Sequence, residues 1–323
     1  MAVHKIFHYI VHINGCLSDA LQFDRQIMET RKMTLEGWVK SGAGATADSY
    51  NCTSDPHIML KVFNSSLVGP QYAQSEFGLS EKVSALGLKT PRALELVDCD
   101  GFPAIIYERI VQKRSISRLC ASNPEDIDRW ATVFARESAA LHATVCQPDD
   151  FVSRKEQMLK FVNGHKGYRE RTKAGIAALA AGLDDTPHCL HGDLQTGNII
   201  VDSETGTAYW IDLGSFAWGD PMYDIACLYF FCKHPIGRLV GRKLCHLSFR
   251  RLSQFWNAFE REYSKCTGAS GLAEKASRYV ILYLVYTIGL ENYGRIATFA
   301  FDAYINRLAA RPRGQSFLMQ RFI

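Results

Sequence analysis

The chain has 323 residues, 47% of them apolar and 22% charged, an ordinary globular composition that excludes a wholly disordered, collagen-like or coiled-coil protein. Its formal charge is +4 and is spread along the length without a Lys/Arg run, so no nucleic-acid partner is expected. Apolar stretches such as Tyr279 to Leu290 fall short of the roughly 20 residues that span a bilayer, and no membrane partner is expected.

The N-terminal segment is interrupted by His4, His8 and His12. It has no long apolar run or small-residue cleavage site, which disfavours a signal peptide. Residues 1–30 read as an extension, with Met28 and Met33 as alternative starts. Ten cysteines, at 16, 52, 99, 120, 146, 189, 227, 232, 245 and 266, are scattered singly with no zinc-type pairing. They read as buried free thiols of a reducing, cytoplasmic protein.

From about Leu35 to Ile110 the chain reads as short strands with one helix. Val39 leads into a small-residue stretch, Ser41 to Ala47. Ile58 to Phe63 is a strand with one charge, Lys61, inside it. Gln71 to Leu86 reads as a helix stopped by Gly87, and Ala93–Val97 and Ala104–Tyr107 as further strands. Beyond Ile110 the pattern turns helical. Asn123 caps and Pro124 opens a helix to about His142; others are expected at 153–163, 169–181, 222–232, 247–265, 272–290 and 297–309. Between them lies a hairpin of Asn198–Val201 and Ala208–Asp212, joined by the turn composition Asp202 to Gly206. The fold class is therefore α+β. An N-lobe (31–110) with a small antiparallel sheet precedes a larger, mainly helical C-lobe (111–323), and Glu108 to Ile110 cross between them.

The strongest chemical signal is Leu190-His191-Gly192-Asp193-Leu194-Gln195-Thr196-Gly197-Asn198, with Ile211-Asp212-Leu213-Gly214 after it. In kinases a catalytic-loop Asp accepts the substrate hydroxyl proton, an Asn five residues on holds Mg²⁺, and the Asp of an Asp-x-Gly turn holds Mg²⁺ again. Asp193, Asn198 and Asp212 reproduce that spacing. The hairpin between Asn198 and Asp212 would bring both oxygen ligands to one end of a two-stranded ribbon. Few, hard oxygen ligands suit Mg²⁺.

The sequence resembles the aminoglycoside phosphotransferase/choline kinase family of small-molecule kinases, through His191-Gly192-Asp193, Gly197-Asn198, Ile211-Asp212 and Trp218-Gly219-Asp220-Pro221-Met222-Tyr223-Asp224. The likeness spans roughly residues 35 to 265 and is nearest to bacterial members whose metal motif reads Asp-Leu-Gly-Ser. It implies a bilobal protein-kinase-like fold, ATP (with GTP left open) and Mg²⁺ as cofactors, and adenine hydrogen-bonded by backbone around Glu108 to Ile110. It also implies that Asp224 ties its helix to the catalytic loop.

Other residues extend this reading. A Lys inside an apolar strand needs a partner, and a kinase Lys so placed contacts the α/β-phosphates and pairs with a helix Glu. Glu76 shares a helix face with Leu79, Val83 and Leu86, whereas Glu81 points about 140° away, so Glu76 is the expected partner of Lys61. Gly42 and Gly44, with Ser41 and small neighbours, would form the bare loop that approaches the phosphates. It is not a Walker A loop, since no Gly-Lys-Ser/Thr follows. Asp220 is expected to cap the helix after Pro221, and His191 to hold the loop rather than join His188 in a zinc site. Trp210, Trp218, Trp256 and the Tyr279/Tyr283/Tyr286 series read as core rather than as an aromatic cage.

Two absences select the acceptor class. Gly192 stands where protein kinases carry the Arg of His-Arg-Asp, and only seven residues separate Asp212 from Asp220, too few for a phosphorylatable activation loop. The expected activity is transfer of the γ-phosphate of ATP to a hydroxyl of a small molecule, with Asp193 as base. A protein-kinase-like enzyme and a non-catalytic nucleotide-binding scaffold are the alternatives. The acids of the last 84 residues are few: Glu260, Glu262, Glu274, Glu291 and Asp302. A polycationic acceptor wants a strongly acidic cleft, so an aminoglycoside is not expected, while Glu291 and Asp302 stay open as lining of a cationic pocket. The sequence leaves the oligomeric state unread.

Overall fold

The computed structural model describes residues 30–43, 47–64, 70–290 and 294–309. These divide into two compact units, one of 30–114 with 200–214, the other of 115–199 with 215–309.

The first unit is built on a six-stranded sheet ordered β1-β5-β6-β4-β3-β2. Its strands are β1 (Arg31–Met33), β2 (Trp38–Ala43), β3 (Asp48–Cys52), β4 (Ile58–Val62), β5 (Ala93–Cys99) and β6 (Phe102–Glu108). The pairings are antiparallel except for β1 on β5, which is parallel. One face buries Leu60, Val62, Val97, Ala104 and Ile106. The other buries Phe63, Leu96 and Ile105 with Ala73 of helix α1 (Pro70–Ala85). This alternation is what a two-faced strand requires. Gly87 follows α1 at φ +76°, a left-handed position that stops the helix without a Cβ penalty. The hairpin of β9 (Ile199–Asp202) and β10 (Ala208–Trp210) belongs with this unit. The Trp210 N–H donates to the Lys89 carbonyl over 2.8 Å, and β9 lies between β10 and β7 (Lys113–Ser115).

The second unit is helical: α2 (Ile116–Ser122), α3 (Ile127–Ala143), α4 (Arg154–Gly164), α5 (Glu170–Ala180), α6 (Met222–Cys232), α7 (Gly237–Leu244), α8 (Phe249–Thr267), α9 (Leu272–Leu290) and α10 (Gly294–Ala309). Helix α6 is buried on every side, so its sequence is apolar throughout rather than striped. Helix α7 lies close upon it, because a Cβ at Gly237 or Gly241 would run into the Phe230 or Phe231 carbonyl. A two-stranded ribbon, β8 (Cys189–Leu190) on β11 (Ala217–Trp218), carries the chain into the loop at 191–198.

The structure departs from the sequence reading in several places. Helices α2 and α7 are additional. The helix expected from Asn123 opens with a 3₁₀ turn at Pro124–Asp126, and the α-helix begins at Ile127. Ser41 to Ala43 extend β2 instead of lying in a loop. Strand β10 ends at Trp210, which leaves Asp212 beyond it at φ +63°. Of the nine described cysteines, all free, Cys266 is exposed and Cys52 half-buried. Nothing in the sequence pattern near those two had set them apart from the rest. Cys16 and almost all of the 1–30 extension lie outside the described residues. No described helix is long and apolar enough to cross a membrane.

Candidate active site

In the sheet unit, β4 turns Lys61 onto α1, where Glu76 faces it from the packed side of the helix. The Lys61 Nζ to Glu76 Oε1 distance is 2.7 Å, and the Tyr107 hydroxyl on β6 donates to the same Oε1 over 2.8 Å. Burial works against the Lys61 charge, but Glu76 and Asp212 outweigh it and its pKa is raised. Burial likewise pushes Tyr72 and Tyr107 up, reinforced by the Glu76 charge. Lys61, Glu76 and Asp212 thus form one local charge system. Asp212 sits in it with left-handed backbone, a conformation that non-glycine residues adopt at a cost of about 1–3 kcal/mol.

Ser41 and Gly42 are exposed near the end of β2, after an irregularity that shifts pairing between Lys40 and Gly42. Gly44 lies outside the described residues. Across the hairpin, Asp48 accepts from Lys40 Nζ (2.7 Å) and Asn64 Nδ2 (2.8 Å), which pull its carboxyl below the usual range. Glu108 closes β6 with its N–H on the Arg92 carbonyl, and the Arg109 N–H donates to the His57 carbonyl. Ile110 follows, half-buried.

In the helical unit, the loop at 191–198 carries Asp193 and Asn198. Asn198 Nδ2 donates to the carbonyl and to Oδ2 of Asp193, both over 2.9 Å. Asn198 Oδ1 accepts from Gln195 Nε2, which leaves that carboxamide oxygen a second lone pair. As donor types, Asn198 and Asp212 fit a hard cation such as Mg²⁺, which takes few protein ligands. No group of three or more His, Cys, Asp or Glu gathers as a metal cage among the described residues. His191 holds the loop internally, its Nδ1 accepting from the Asp193 N–H over 3.3 Å. Thr196 anchors the far side through Ser117, with 2.7 Å between their hydroxyl oxygens.

The loop is hung on Asp224, which is fully buried in the first turn of α6. Its Oδ2 accepts from the His191 N–H (2.7 Å) and its Oδ1 from the Gly192 N–H (2.8 Å). His142 Nε2 stands 3.2 Å from Oδ2, and Tyr263 Oη 2.8 Å from His142 Nδ1. Burial opposes the Asp224 charge, yet His142, His191 and the Gly192 N–H together hold its pKa below the usual carboxylate range. Asp220 caps α6 through the Met222 N–H (2.8 Å) and also accepts from the Asp184 N–H (2.9 Å).

Sequence reasoning missed Arg154. It follows the α4 cap Ser153, is 2% exposed, and turns into the protein instead of outward. Its guanidinium donates to the Ser215 carbonyl and to Gln157 Oε1, and stacks 3.7 Å from the Tyr286 ring centroid. Gly192 lies beside it at φ +82°, where a Cβ would strike both the Ser215 carbonyl and the guanidinium. Cys227 was also missed; its Sγ is 3.8 Å from Asp193 Oδ1. An apolar helix gives no hint that one thiol faces a carboxylate. Tyr283 and Tyr286 are buried, as are Trp210 and Trp256. Asp302 does not line a pocket as a free acid; it pairs with His165 at 2.7 Å. Glu291 lies outside the described residues.

Comparison with known proteins places these residues in a family. The crystal structure of the ADP-bound aminoglycoside phosphotransferase APH(2'')-Ib superposes with a TM-score of 0.52 at 16% identity, covering 85% of this chain and 93% of that one. The amicoumacin kinase hAmiN, in complex with AMP-PNP, Ca²⁺ and Ami, gives 0.55 at 14% identity over 88% and 90%. A thermostable APH(4)-Ia mutant with ADP and hygromycin B gives 0.53 at 13% over 88% and 93%. These likenesses show a shared protein-kinase-like fold. No curated protein sequence matches. The model of the phosphotransferase enzyme family matches residues 39–250, most of the chain and the whole stretch from Lys61 to Asp224, and the protein belongs to that family.

Proposed function

We propose that the protein is an ATP-dependent kinase that transfers the γ-phosphate to a hydroxyl of a small molecule. The observation that carries this is the convergence of Lys61, Glu76 and Asp212 in one charge system. A Lys held by a carboxylate keeps its charge for phosphate, whereas an unpaired buried Lys tends to lose it. Nucleotides bound to the structural neighbours, ADP and AMP-PNP, support the same reading.

In this scheme Lys61 contacts the phosphates, and Ser41, Gly42 and Gly44 supply a bare approach to them. Backbone at Glu108 and Ile110 meets the adenine. Asn198 and Asp212 hold Mg²⁺, which neutralises charge on the phosphates when bound. Asp193 orients the acceptor hydroxyl and takes its proton. The Asn198 side chain, donating to Asp193 Oδ2, keeps that carboxylate as an acceptor.

The acceptor is not a polycation. Glu260 accepts from Trp256 Nε1 and the Ala273 N–H, Glu262 pairs with Arg136 and Glu274 with Arg278, and Asp302 pairs with His165. Each described acid beyond residue 240 is engaged within the protein rather than held ready for ammonium groups.

The test is ADP release from MgATP across amino alcohols, sugars, nucleosides and aminoglycosides, with Asp193→Asn beside the wild type. The expected result is an acceptor-dependent rate that falls by about 10²–10⁴-fold in the variant. ATP binding without turnover on any acceptor would favour a nucleotide-binding scaffold, and failure to bind MgATP would overturn the assignment of Lys61, Asn198 and Asp212.

A further inference from the structure

Asp193 is gripped from two directions. One grip, from Asn198 Nδ2 to Oδ2, is local to the loop and moves with it. The other comes from the helical core: Cys227, in the middle of α6 and wholly buried, lies with Sγ 3.8 Å from Oδ1. Behind the thiol, the hydroxyl of Tyr283 on α9 neighbours Cys227, and that of Thr287, one turn further along α9, neighbours Tyr283. Both are buried as well.

Proton count fixes the direction of this line. The ionised carboxylate at its end only accepts, so Cys227 donates its single proton to Oδ1. The sulfur then only accepts, so Tyr283 donates to it. The Tyr283 proton is thereby committed, and Thr287 donates to the phenol oxygen. Every donor points toward Asp193, an arrangement in which each bond polarises the next, and the last one ends on a charge, where hydrogen bonds are strongest. A buried cysteine ordinarily serves as a small apolar filler. Here an apolar residue would leave the buried Tyr283 hydroxyl, which needs a partner, facing nothing at that end.

We propose that Cys227 is a positioning residue for phosphotransfer: its thiol, oriented by Tyr283 and Thr287, fixes the Oδ1 edge of Asp193 to α6 so that the carboxylate meets the acceptor in one rotamer. This rests on the reading of Asp193 as the base. Asn198 sets the carboxylate relative to the loop, and Cys227 sets it relative to the helical core. Small misplacements of a reacting group are expensive in rate, so loss of the second grip acts on turnover and leaves nucleotide binding alone.

Two measurements test it. The first needs no acceptor. The infrared S–H stretch of Cys227 is isolated as the difference between wild type and Cys227→Ala, and between Asp193→Asn and the Asp193→Asn/Cys227→Ala double variant. The band is expected at higher frequency when Asp193 is Asn, because the thiol loses a charged acceptor; an unmoved band overturns the contact. The second is kinetic, with the acceptor found by the panel above. Cys227→Ala is expected to lower kcat about tenfold with the KM for MgATP unchanged. Cys227→Ser, which keeps a donor, should return to within about threefold of wild type, and Tyr283→Phe should fall between them. A Cys227→Ser variant as slow as Cys227→Ala, or a Cys227→Ala variant as fast as wild type, overturns the positioning role. If the wild type turns over no acceptor, the kinase reading fails, while the infrared result still decides whether the thiol is bonded to Asp193.

Discussion

The sheet unit and the helical unit hold their buried charges in opposite ways. In the sheet unit Lys61 is matched by a carboxylate, Glu76, with Tyr107 as a third member. In the helical unit the charges are held mainly by dipoles. Arg154 rests on a carbonyl, an amide and an aromatic face, and Asp224 on two backbone N–H groups and a histidine. An ion pair fixes two side chains to each other. Dipoles of the backbone fix a side chain to the course of the main chain, and here they fix the course of the 191–198 loop. Removal of a charge should therefore disturb chemistry in the sheet unit and the fold of the loop in the helical unit.

Asp224 gives the largest expected effect. Asp224→Ala leaves the His191 and Gly192 N–H groups and His142 without their acceptor inside the protein. The expected loss is about 3–5 kcal/mol in unfolding free energy, as for breaking a buried charged pair, read by urea denaturation. A loss below about 1 kcal/mol would mean that the loop is not hung on this residue. The pH dependence has a definite sign. The folded pKa of Asp224 is depressed, so its contribution is complete above the ordinary carboxylate value of about 4 and is lost as pH falls through the folded value. Wild-type stability should therefore decline in acid below that range more steeply than that of Asp224→Ala.

Arg154 comes next, and its variants sharpen the distinction between charge and dipole. Arg154→Met removes the donors to Ser215 and Gln157 and is expected to cost about 2–3 kcal/mol. Arg154→Lys keeps the charge but not the planar fork, and it leaves an ammonium buried with no carboxylate among its described contacts. It should be no more stable than the Met variant, in contrast to the usual ranking. If Lys restored wild-type stability, the charge and not the fork would be the operative property. Gly192→Ala should also destabilise, by about 1–3 kcal/mol, because it combines a positive φ with a Cβ aimed at Ser215 and Arg154.

In the sheet unit the expected effect on stability is smaller and that on nucleotide binding larger. The Lys61 and Glu76 side chains retain 24% and 13% exposure, so Glu76→Gln should cost about 1–2 kcal/mol, between surface and buried pairs. The raised Lys61 pKa means that its contribution is complete below the ordinary lysine value of about 10.4 and is lost as pH rises through the folded value. MgATP affinity, measured by calorimetry, should weaken in Glu76→Gln more than in Asp224→Ala refolded to the same native fraction. The reverse order would break the division of labour between the units.

How far each of these contacts was legible follows from the same contrast. The Lys61–Glu76 contact lies between a strand and a helix of regular period, and counting 100° per residue was enough to separate Glu76 from Glu81. The contact of Asn198 with Asp193 lies within one short loop, so five residues of spacing suffice to bring the two together. Arg154 had no such signal, because a Ser cap followed by Arg-Lys-Glu looks like any exposed first turn, and only the backbone at Ser215, 61 residues away, explains why it points inward. Helix α7 escaped notice for a related reason. Glycine is a poor helix former, so Gly237 and Gly241 weaken the local helical signal, whereas their small size is what lets α7 lie on the carbonyls of α6. The apolar residues before Asp212 extend the strand pattern to it, and the left-handed backbone at Asp212 leaves no local signature in Ile-Asp-Leu-Gly beyond its final glycine.

The smallest expected effect concerns Asp302, and it separates a structural acid from a substrate-binding one. Its Oδ1 is 2.7 Å from His165 Nε2, with both side chains under one-fifth exposed. The neighbouring Asn306 accepts from the Arg169 N–H and the Thr172 hydroxyl and donates to the Gly167 carbonyl. Together they latch α10 to the connection between α4 and α5. Since Asn306 shares the latch, Asp302→Asn should cost no more than about 1 kcal/mol in thermal stability. Neither kcat nor the KM of the acceptor should change. A rise in acceptor KM without a change in stability would return Asp302 to the substrate pocket, and with it the case for a cationic acceptor.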